Sequence, residues 1–189
     1  MSNNFYQTKE GVSQYIKMAQ DVDSSQLIEK LKSHLPNGAA LLELGSGPGT
    51  DWQLLKQSFD VTGSDYSAEF IKHLKAEIPN GEFFELDAAT LDIDKKFDAI
   101  YSNKVLHHLS DAKLASSIVN QDKILKPNGI ICHSFWKGVG DEIFNGLFVN
   151  YYEATDLKKA FEKSFEIISI ETYKEFDADD SLVLIAKKK

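Results

Sequence analysis

Cysteine is almost absent from this chain. Cys132 is the only one among 189 residues, so an internal disulfide and a cysteine-rich metal centre are both excluded. Long apolar runs are missing as well. No stretch reaches the roughly 18 residues that a membrane helix needs, and no N-terminal apolar segment resembles a signal peptide. The cytoplasm is the default expectation, with no membrane partner. Positive charge is in deficit: 21 Lys and Arg stand against 29 Asp and Glu, for a formal charge of -8. Nucleic-acid affinity rests on cations neutralising phosphates, so no nucleic-acid partner is expected. The Lys187-Lys188-Lys189 tail reads as a solvated end. Internal repeats and low-complexity segments are absent too. Neither H-E-x-x-H nor a carboxylate–histidine cluster occurs, and no metal is expected. The serine-hydrolase elbow G-x-S-x-G is also missing.

What is present reads as one globular domain over residues 1–189, long enough to bury a core without staples. Residues 1–23 are polar with scattered aromatics (Phe5, Tyr6, Tyr15) and read as an arm or lid. Ser24 or Ser25 is positioned to cap a helix carrying Leu27, Ile28, Leu31 and Leu35 on one face. Short apolar runs then alternate with amphipathic stretches. Strands are expected over 39–44, 60–65, 82–86, 97–102 and 130–136. Helices are expected over 50–59, after Ser67, and after Ser110-Asp111. Pro-Asn-Gly triplets at 36–38, 79–81 and 127–129 end helices. Thr155 is placed to cap a further helix, and strands at 165–173 and 181–186 close the chain. The pattern predicts an α/β fold with a doubly wound, mostly parallel seven-stranded sheet and an antiparallel closing strand.

In such sheets ligands bind beyond the carboxyl ends of the strands, where strand order reverses. The stretch LELGSGPGT, Leu42 to Thr50, ends the first strand. A P-loop would need a lysine after the last glycine, and none follows Gly49. A dinucleotide fingerprint reads G-x-G-x-x-G, whereas here Thr50 takes the sixth position and Pro48 removes a backbone donor. S-adenosylmethionine has no phosphate, so it tolerates that loss, and Glu43 can answer its ammonium group. Asp65 ends the second strand twenty positions after Gly45, where a carboxylate can accept from two ribose hydroxyls.

Five motifs occur together and in order: LLELGSGPGTD, VTGSDYS, FFELDAATL, FDAIYSNKVLHHL and LKPNGIICHSF. In that order and spacing the chain resembles class I S-adenosylmethionine-dependent methyltransferases from about Ala39 to Trp136. The segments TKEGVSQYIKMAQDVDSS and NGLFVNYYEATDL look like small bacterial members, including the tellurite-resistance type. The resemblance implies S-adenosyl-L-methionine as cofactor. It implies that Glu43, Gly45, Ser46, Gly47 and Gly49 line the methionine end and that Asp65 holds the ribose. Tyr66 would then pack beside the adenine, with Asp87 and Ala88 at its amino group. Ser102, Asn103 and Leu106 would pass under the ligand toward the methyl. Enzymes of this class that act on exocyclic amino or amide nitrogens often carry Asn-Pro-Pro-Tyr after strand four. Here the sequence is Ser102-Asn103-Lys104-Val105, which disfavours that substrate class.

A general base is needed where the acceptor arrives protonated. His107 and His108, just after strand four, are the catalytic candidates. His133 and Cys132 read as core or sheet-face residues, and His34 and His73 as surface residues. Residues 137–152 mix glycines with aromatics and read either as a flap over the acceptor or as a helix or loop packed on the sheet. The resulting expectation is methyl transfer to a small-molecule acceptor. Alternatives are an NAD(P)-dependent oxidoreductase and a non-catalytic S-adenosylmethionine-binding protein. The acceptor, the attacked atom (O, N, S or metalloid) and the oligomeric state stay open.

Overall fold

The computed structural model describes residues 5–18, 23–144 and 146–189. Part of the expected arm, residues 1–4 and 19–22 with the side chains of Phe5 and Met18, lies outside the described residues. Five strands lead the sheet: β1 (Ala40–Leu44), β2 (Asp60–Asp65), β3 (Glu82–Glu85), β4 (Phe97–Asn103) and β5 (Leu125–Trp136). Two short strands follow, β6 (Asp141–Phe144) and β7 (Leu147–Asn150), then β8 (Phe165–Tyr173) and β9 (Ser181–Lys188). The main sheet has seven strands in the order β3-β2-β1-β4-β5-β9-β8. The first five are mutually parallel, and β9 runs antiparallel to both β5 and β8. This is the doubly wound α/β sheet that the sequence predicts.

Its central strands are nearly continuous apolar runs because both faces are covered. One face packs Leu42, Ile100, Phe135 and Leu184 under helices α5 (Asp111–Ile124) and α6 (Ala154–Phe161). The other packs Leu41, Tyr101, Cys132 and Val183 under α2 (Ser25–Lys32), α3 (Thr50–Leu55) and α4 (Ala68–Glu77). The chain winds from β1 out to β3, then returns to place β4 on the other side of β1. The switch point therefore lies between β1 and β4, and the loops after these two strands flank a crevice.

Several local expectations differ from what is found. Helix α3 stops at Leu55, and turns carry the chain to Phe59. Ser24 precedes α2 but makes no side-chain cap; its hydroxyl goes to Asp51 instead. Helix α6 is capped by Glu153 rather than Thr155, through a capping box in which Asp156 accepts from the Glu153 N–H at 3.0 Å. The carboxylates at 153 and 156 form the reciprocal pair that Thr155 cannot. Ser67 caps α4 as expected, accepting from the Phe70 N–H at 3.1 Å. The arm carries a helix, α1 (Lys9–Met18), with Val12 buried. The stretch 137–152 is a β6–β7 hairpin, closed by a bridge between Lys137 and Tyr152.

Candidate active site

The glycine loop runs from Gly45 to Gly49. All three of its glycines are left-handed, with φ of +70°, +49° and +88° at Gly45, Gly47 and Gly49. The backbone path itself thus demands residues without a Cβ. Gly45 has a second reason: a Cβ there would collide with the Val105 side chain, in the turn after β4. Gly45 is where the two loops of the switch point touch. The loop is then pinned to β2. The Ser46 N–H donates to the Ser64 carbonyl at 2.8 Å, and the Ser64 N–H donates to the Ser46 hydroxyl at 3.1 Å.

Three carboxylates gather around this loop. Glu43 is buried and accepts from the Ser46 hydroxyl at 2.5 Å. Burial holds its pKa well above the usual range and the Asp51 charge adds to this, while the Ser46 hydrogen bond opposes them. Asp65 accepts from the Gly47 N–H at 3.0 Å and the Ser67 N–H at 2.8 Å. Burial outweighs these bonds and pushes Asp65 up to about 6. Asp51, in the first turn of α3, accepts from the Ser24 hydroxyl at 2.5 Å, the Tyr101 hydroxyl at 2.8 Å and the Asn103 amide at 3.2 Å. Among the described residues no ion pair reaches Glu43, Asp51 or Asp65. Negative charge buried without a cation is costly, so this bank suits a positively charged ligand.

Tyr66 follows Asp65 and is 65% exposed. The Leu86 N–H donates to the Asp65 carbonyl at 2.9 Å, which brings Asp87 and Ala88 alongside. Asp87 turns that loop by accepting from the Ala89 N–H at 2.7 Å. Across the crevice, Asn103 ties β4 to β5 through the Ser134 hydroxyl at 2.5 Å. Leu106 is fully buried in the core. The Ser102 hydroxyl is committed to His133 Nδ1 at 2.8 Å, and His133 Nε2 meets the Gln121 carbonyl oxygen at 2.8 Å. That oxygen only accepts, so Nε2 carries the proton and Nδ1 accepts from Ser102. Burial lowers His133 to about 3. It is a neutral core residue, as the sequence suggests.

His107 and His108 lie in a 3-10 turn, Leu106–His108, with ring centroids 4.0 Å apart. Burial lowers the pKa of both. His107 is 2% exposed, and its Nδ1 has no hydrogen-bond partner among the described residues. His108 Nδ1 lies 2.7 Å from the Phe148 carbonyl of the hairpin. A carbonyl only accepts, so Nδ1 holds the proton and the Nε2 lone pair is left available.

Two regions far apart in sequence flank the crevice. The arm brings Tyr15 within 3.7 Å of the position a Cβ on Gly47 would take. Tyr6 packs near Tyr15, Phe70 and His108, at centroid distances of 5.3, 6.1 and 6.4 Å. The Ser67 hydroxyl donates to the Tyr6 carbonyl, and the Gln7 amide donates to the Tyr66 carbonyl at 3.3 Å. On the far side, Lys104 Nζ sits 3.5 Å from the Trp136 ring centroid. The same ammonium donates to the Ser181 hydroxyl at 2.6 Å and the Phe135 carbonyl at 3.2 Å, and it lies 3.6 Å from Glu175. Burial lowers Lys104 to about 8, against the raising effect of Glu175 and Asp180.

Residues 41–129 match the family model of a methyltransferase domain. Over that segment the chain is similar to a methyltransferase domain. Its fold is shared with a TehB-like S-adenosylmethionine-dependent methyltransferase of Corynebacterium glutamicum, at TM-score 0.77 and 22% identity over 96% of this chain and 100% of that one. It is also shared with the 1,6-didemethyltoxoflavin-N1-methyltransferase of Burkholderia thailandensis, solved with 1,6-didemethyltoxoflavin and S-adenosylhomocysteine. That match has TM-score 0.79 and 18% identity, covering 95% and 84% of the two chains. In sequence, the chain is 30% identical over 111 residues to a trans-aconitate 2-methyltransferase of Methylobacterium radiotolerans, covering 57% of this chain and 41% of that protein. The chain spans less than half the length of the first curated relatives it matches.

The fold thus brings together Glu43, the glycine loop, Asp65, Tyr66, Asp87 and Ala88 on one bank of the crevice. His107, His108 and Asn103 stand on the other. Sequence reasoning missed Asp51, Lys104 and the Phe148 carbonyl. Only Asp51 had a local signal, as an acidic residue in the first turn after the glycine loop. An open groove of about 630 Å³ lies elsewhere, between α5, β7 and α6, and includes Leu114, Ile118, Tyr152 and Ala160. At the strand ends, the tyrosines of the arm pack beside Gly47, Phe70 and His108.

Proposed function

We propose that this domain transfers a methyl group from S-adenosylmethionine to a small-molecule acceptor. The observation that carries this reading is the set of carboxylates, Glu43 buried and Asp51 and Asp65 part-buried, with no ion pair among the described residues, beside a left-handed glycine loop at the switch point. These residues fit a ligand with an ammonium, a sulfonium and a ribose. S-adenosylmethionine supplies a methyl group already activated on a positively charged sulfur, so the protein's work is positioning and exclusion of water.

In this reading Glu43, Gly45, Ser46, Gly47 and Gly49 hold the methionine end. Asp65 accepts from the ribose hydroxyls, and Tyr66, Asp87 and Ala88 border the adenine. Ser102, Asn103 and Leu106 form the floor beneath the reacting end. His108 takes a proton from the acceptor at Nε2, and His107 supports it from the buried side. Residues 1–23 act as a lid, and the 137–152 hairpin is a flap whose Phe148 carbonyl keeps His108 in the useful tautomer. The names of the similar proteins span different acceptors, trans-aconitate in one and an N1 position in another.

The test is calorimetric titration with S-adenosylmethionine, S-adenosylhomocysteine and NADH. Saturable binding of the first two is expected, with no heat from NADH. In Asp65→Ala the affinity for S-adenosylhomocysteine drops by roughly 30- to 1,000-fold, about 2–4 kcal/mol for the lost charge-assisted hydrogen bonds. Binding of NADH alone would overturn the reading in favour of hydride chemistry.

A further inference from the structure

His107 and His108 are neighbours in the chain with rings 4.0 Å apart, yet the fold treats them differently. The Phe148 carbonyl, 2.7 Å away, holds the proton of His108 on Nδ1 and leaves a lone pair on Nε2. His107 has no such partner. It is 2% exposed, and its Nδ1 is buried without a hydrogen bond among the described residues. Its Nε2 is also unbonded among them but is not sealed off. A proton on Nδ1 would be a buried donor with nothing to receive it, so it belongs on Nε2, where a ligand can accept it. Burial keeps both rings neutral, and the charges of His108 and Lys104 lower His107 further.

Side by side, the two imidazoles therefore present one lone pair and one N–H. An acceptor atom that fits both must donate one hydrogen bond, accept one, and still keep a lone pair for the methyl carbon. A hydroxyl does this, because its oxygen carries one proton and two lone pairs. A carboxylate has no proton for His108. An ammonium has no lone pair for His107. A neutral amine has a single lone pair, and bonding to His107 would withhold it from the methyl. A thiol makes only weak bonds of either kind. Ring faces flank the pair: Tyr6 lies 6.4 Å from His108, Trp136 lies 6.5 Å from His107, and Phe176 is stacked on Trp136 at 6.0 Å. Aromatic rings pack at such spacings, so the surroundings suit a hydroxyl borne on a ring. Acidity agrees. His108 is a weaker base than an ordinary imidazole, and a phenol, ionising at about 10, matches it better than an aliphatic alcohol does.

Resting on the methyltransferase reading, we propose that the acceptor is a phenolic hydroxyl, held by two imidazoles of opposite tautomer: His108 Nε2 accepts its proton, and His107 Nε2–H donates to its oxygen. As the O–H proton passes to His108 Nε2, an oxygen lone pair forms the new O–C bond to the methyl carbon. The C–S bond breaks, and its electrons stay on sulfur. The products are an aryl methyl ether, a neutral thioether and a His108 imidazolium, which returns its proton to water. The His107 N–H steadies the negative charge that grows on oxygen before the methyl arrives. This gives the second histidine a part in the reaction that a single general base would not need.

The experiment begins with nitrogen-15 imidazole spectra of the full chain bound to S-adenosylhomocysteine, assigned with His107→Gln and His108→Gln. His108 should carry its proton on Nδ1 and His107 on Nε2. Transfer of labelled methyl from S-adenosylmethionine is then compared for phenol, catechol, benzylamine, benzoate and thiophenol. At least one of the two phenols should take label faster than the amine, the carboxylate and the thiol. His107→Leu, which removes the donor, should lower that transfer by roughly 10²- to 10³-fold at unchanged S-adenosylhomocysteine affinity. His107→Gln, whose amide can still donate, should recover most of the loss. A His107 proton found on Nδ1, a phenol no better than its counterparts, or equal losses in the Leu and Gln variants would each overturn the proposal and leave the methyltransferase reading standing. If S-adenosylhomocysteine does not bind at all, that reading falls and the proposal with it.

Discussion

The two banks of the crevice are built in opposite ways. On the β1–β2 bank, Glu43, Ser46 and Gly47 are sequence neighbours, and Ser64 to Ser67 complete their hydrogen bonds. On the β4–β5 bank the partners come from distant segments. His108 meets Phe148 forty residues on, and Lys104 meets Ser181 seventy-seven residues on. The matched family segment, 41–129, contains the first bank whole. It leaves out the arm, the hairpin and the β8–β9 loop that complete the second. On the proposed reading the first bank holds a cofactor that similar enzymes share, and a short local motif can serve it. An acceptor differs between enzymes, and side chains recruited from exchangeable loops serve that need.

The largest expected effect comes from breaking the second bank alone. His108→Ala should lower kcat by roughly 10²- to 10⁴-fold while S-adenosylhomocysteine affinity stays unchanged in calorimetry. The pH profile sharpens the assignment. Burial holds His108 below its ordinary 6.5, with the Phe148 bond opposing. The base form therefore persists below pH 6.5, and the acid limb of kcat should fall there and vanish in the variant. A loss that spread to cofactor affinity would show that the two banks are not separable.

Gly45→Ala strikes the point where the banks touch. The new methyl meets Val105, and the residue keeps a φ of +70°. Overpacking and left-handed strain together should cost about 2–4 kcal/mol, read as a lower denaturation midpoint at constant slope. Adding Val105→Ala should restore the packing part and leave the strain part. Full rescue would mean that the left-handed turn is free to relax.

The smallest effect belongs to Glu43→Gln, which keeps an acceptor for the Ser46 hydroxyl and removes the charge. The folded-state pKa of Glu43 is raised, so folding opposes its ionisation. The parent loses stability as pH climbs from the unfolded carboxylate value toward the folded one. The variant does not titrate. It should match the parent at pH 4 and exceed it at pH 8 by about 1 kcal/mol, roughly 2–4 °C in Tm, while binding S-adenosylmethionine more weakly. Equal Tm values at pH 8 would show that the first bank stores no charge penalty for its ligand to relieve.

Much of this was readable along the chain. Strands buried on both faces read as short apolar runs, and Pro-Asn-Gly triplets marked the helix ends, so the sheet and its winding were legible. The glycine loop and Asp65 were legible because their spacing is local. The hairpin was not. Glu142, Ile143 and Phe144 are all exposed, so β6 carries no alternation of buried and exposed residues to betray a strand. The cap of α6 was misplaced because a reciprocal Glu153–Asp156 pair replaces the hydroxyl at Thr155.

By itself the sequence determined the α/β class, the switch-point loop and the carboxylate that ends β2. Each is written in residues close enough together that backbone sterics and strand period fix their arrangement. Tertiary structure alone decided which charges remain unanswered. Asp51 was drawn to Tyr101 and Asn103, Lys104 was committed to Glu175 and Trp136, and His108 was fixed in one tautomer by Phe148. Those outcomes depend on which distant groups share a low-dielectric space, and no local pattern along a chain encodes that.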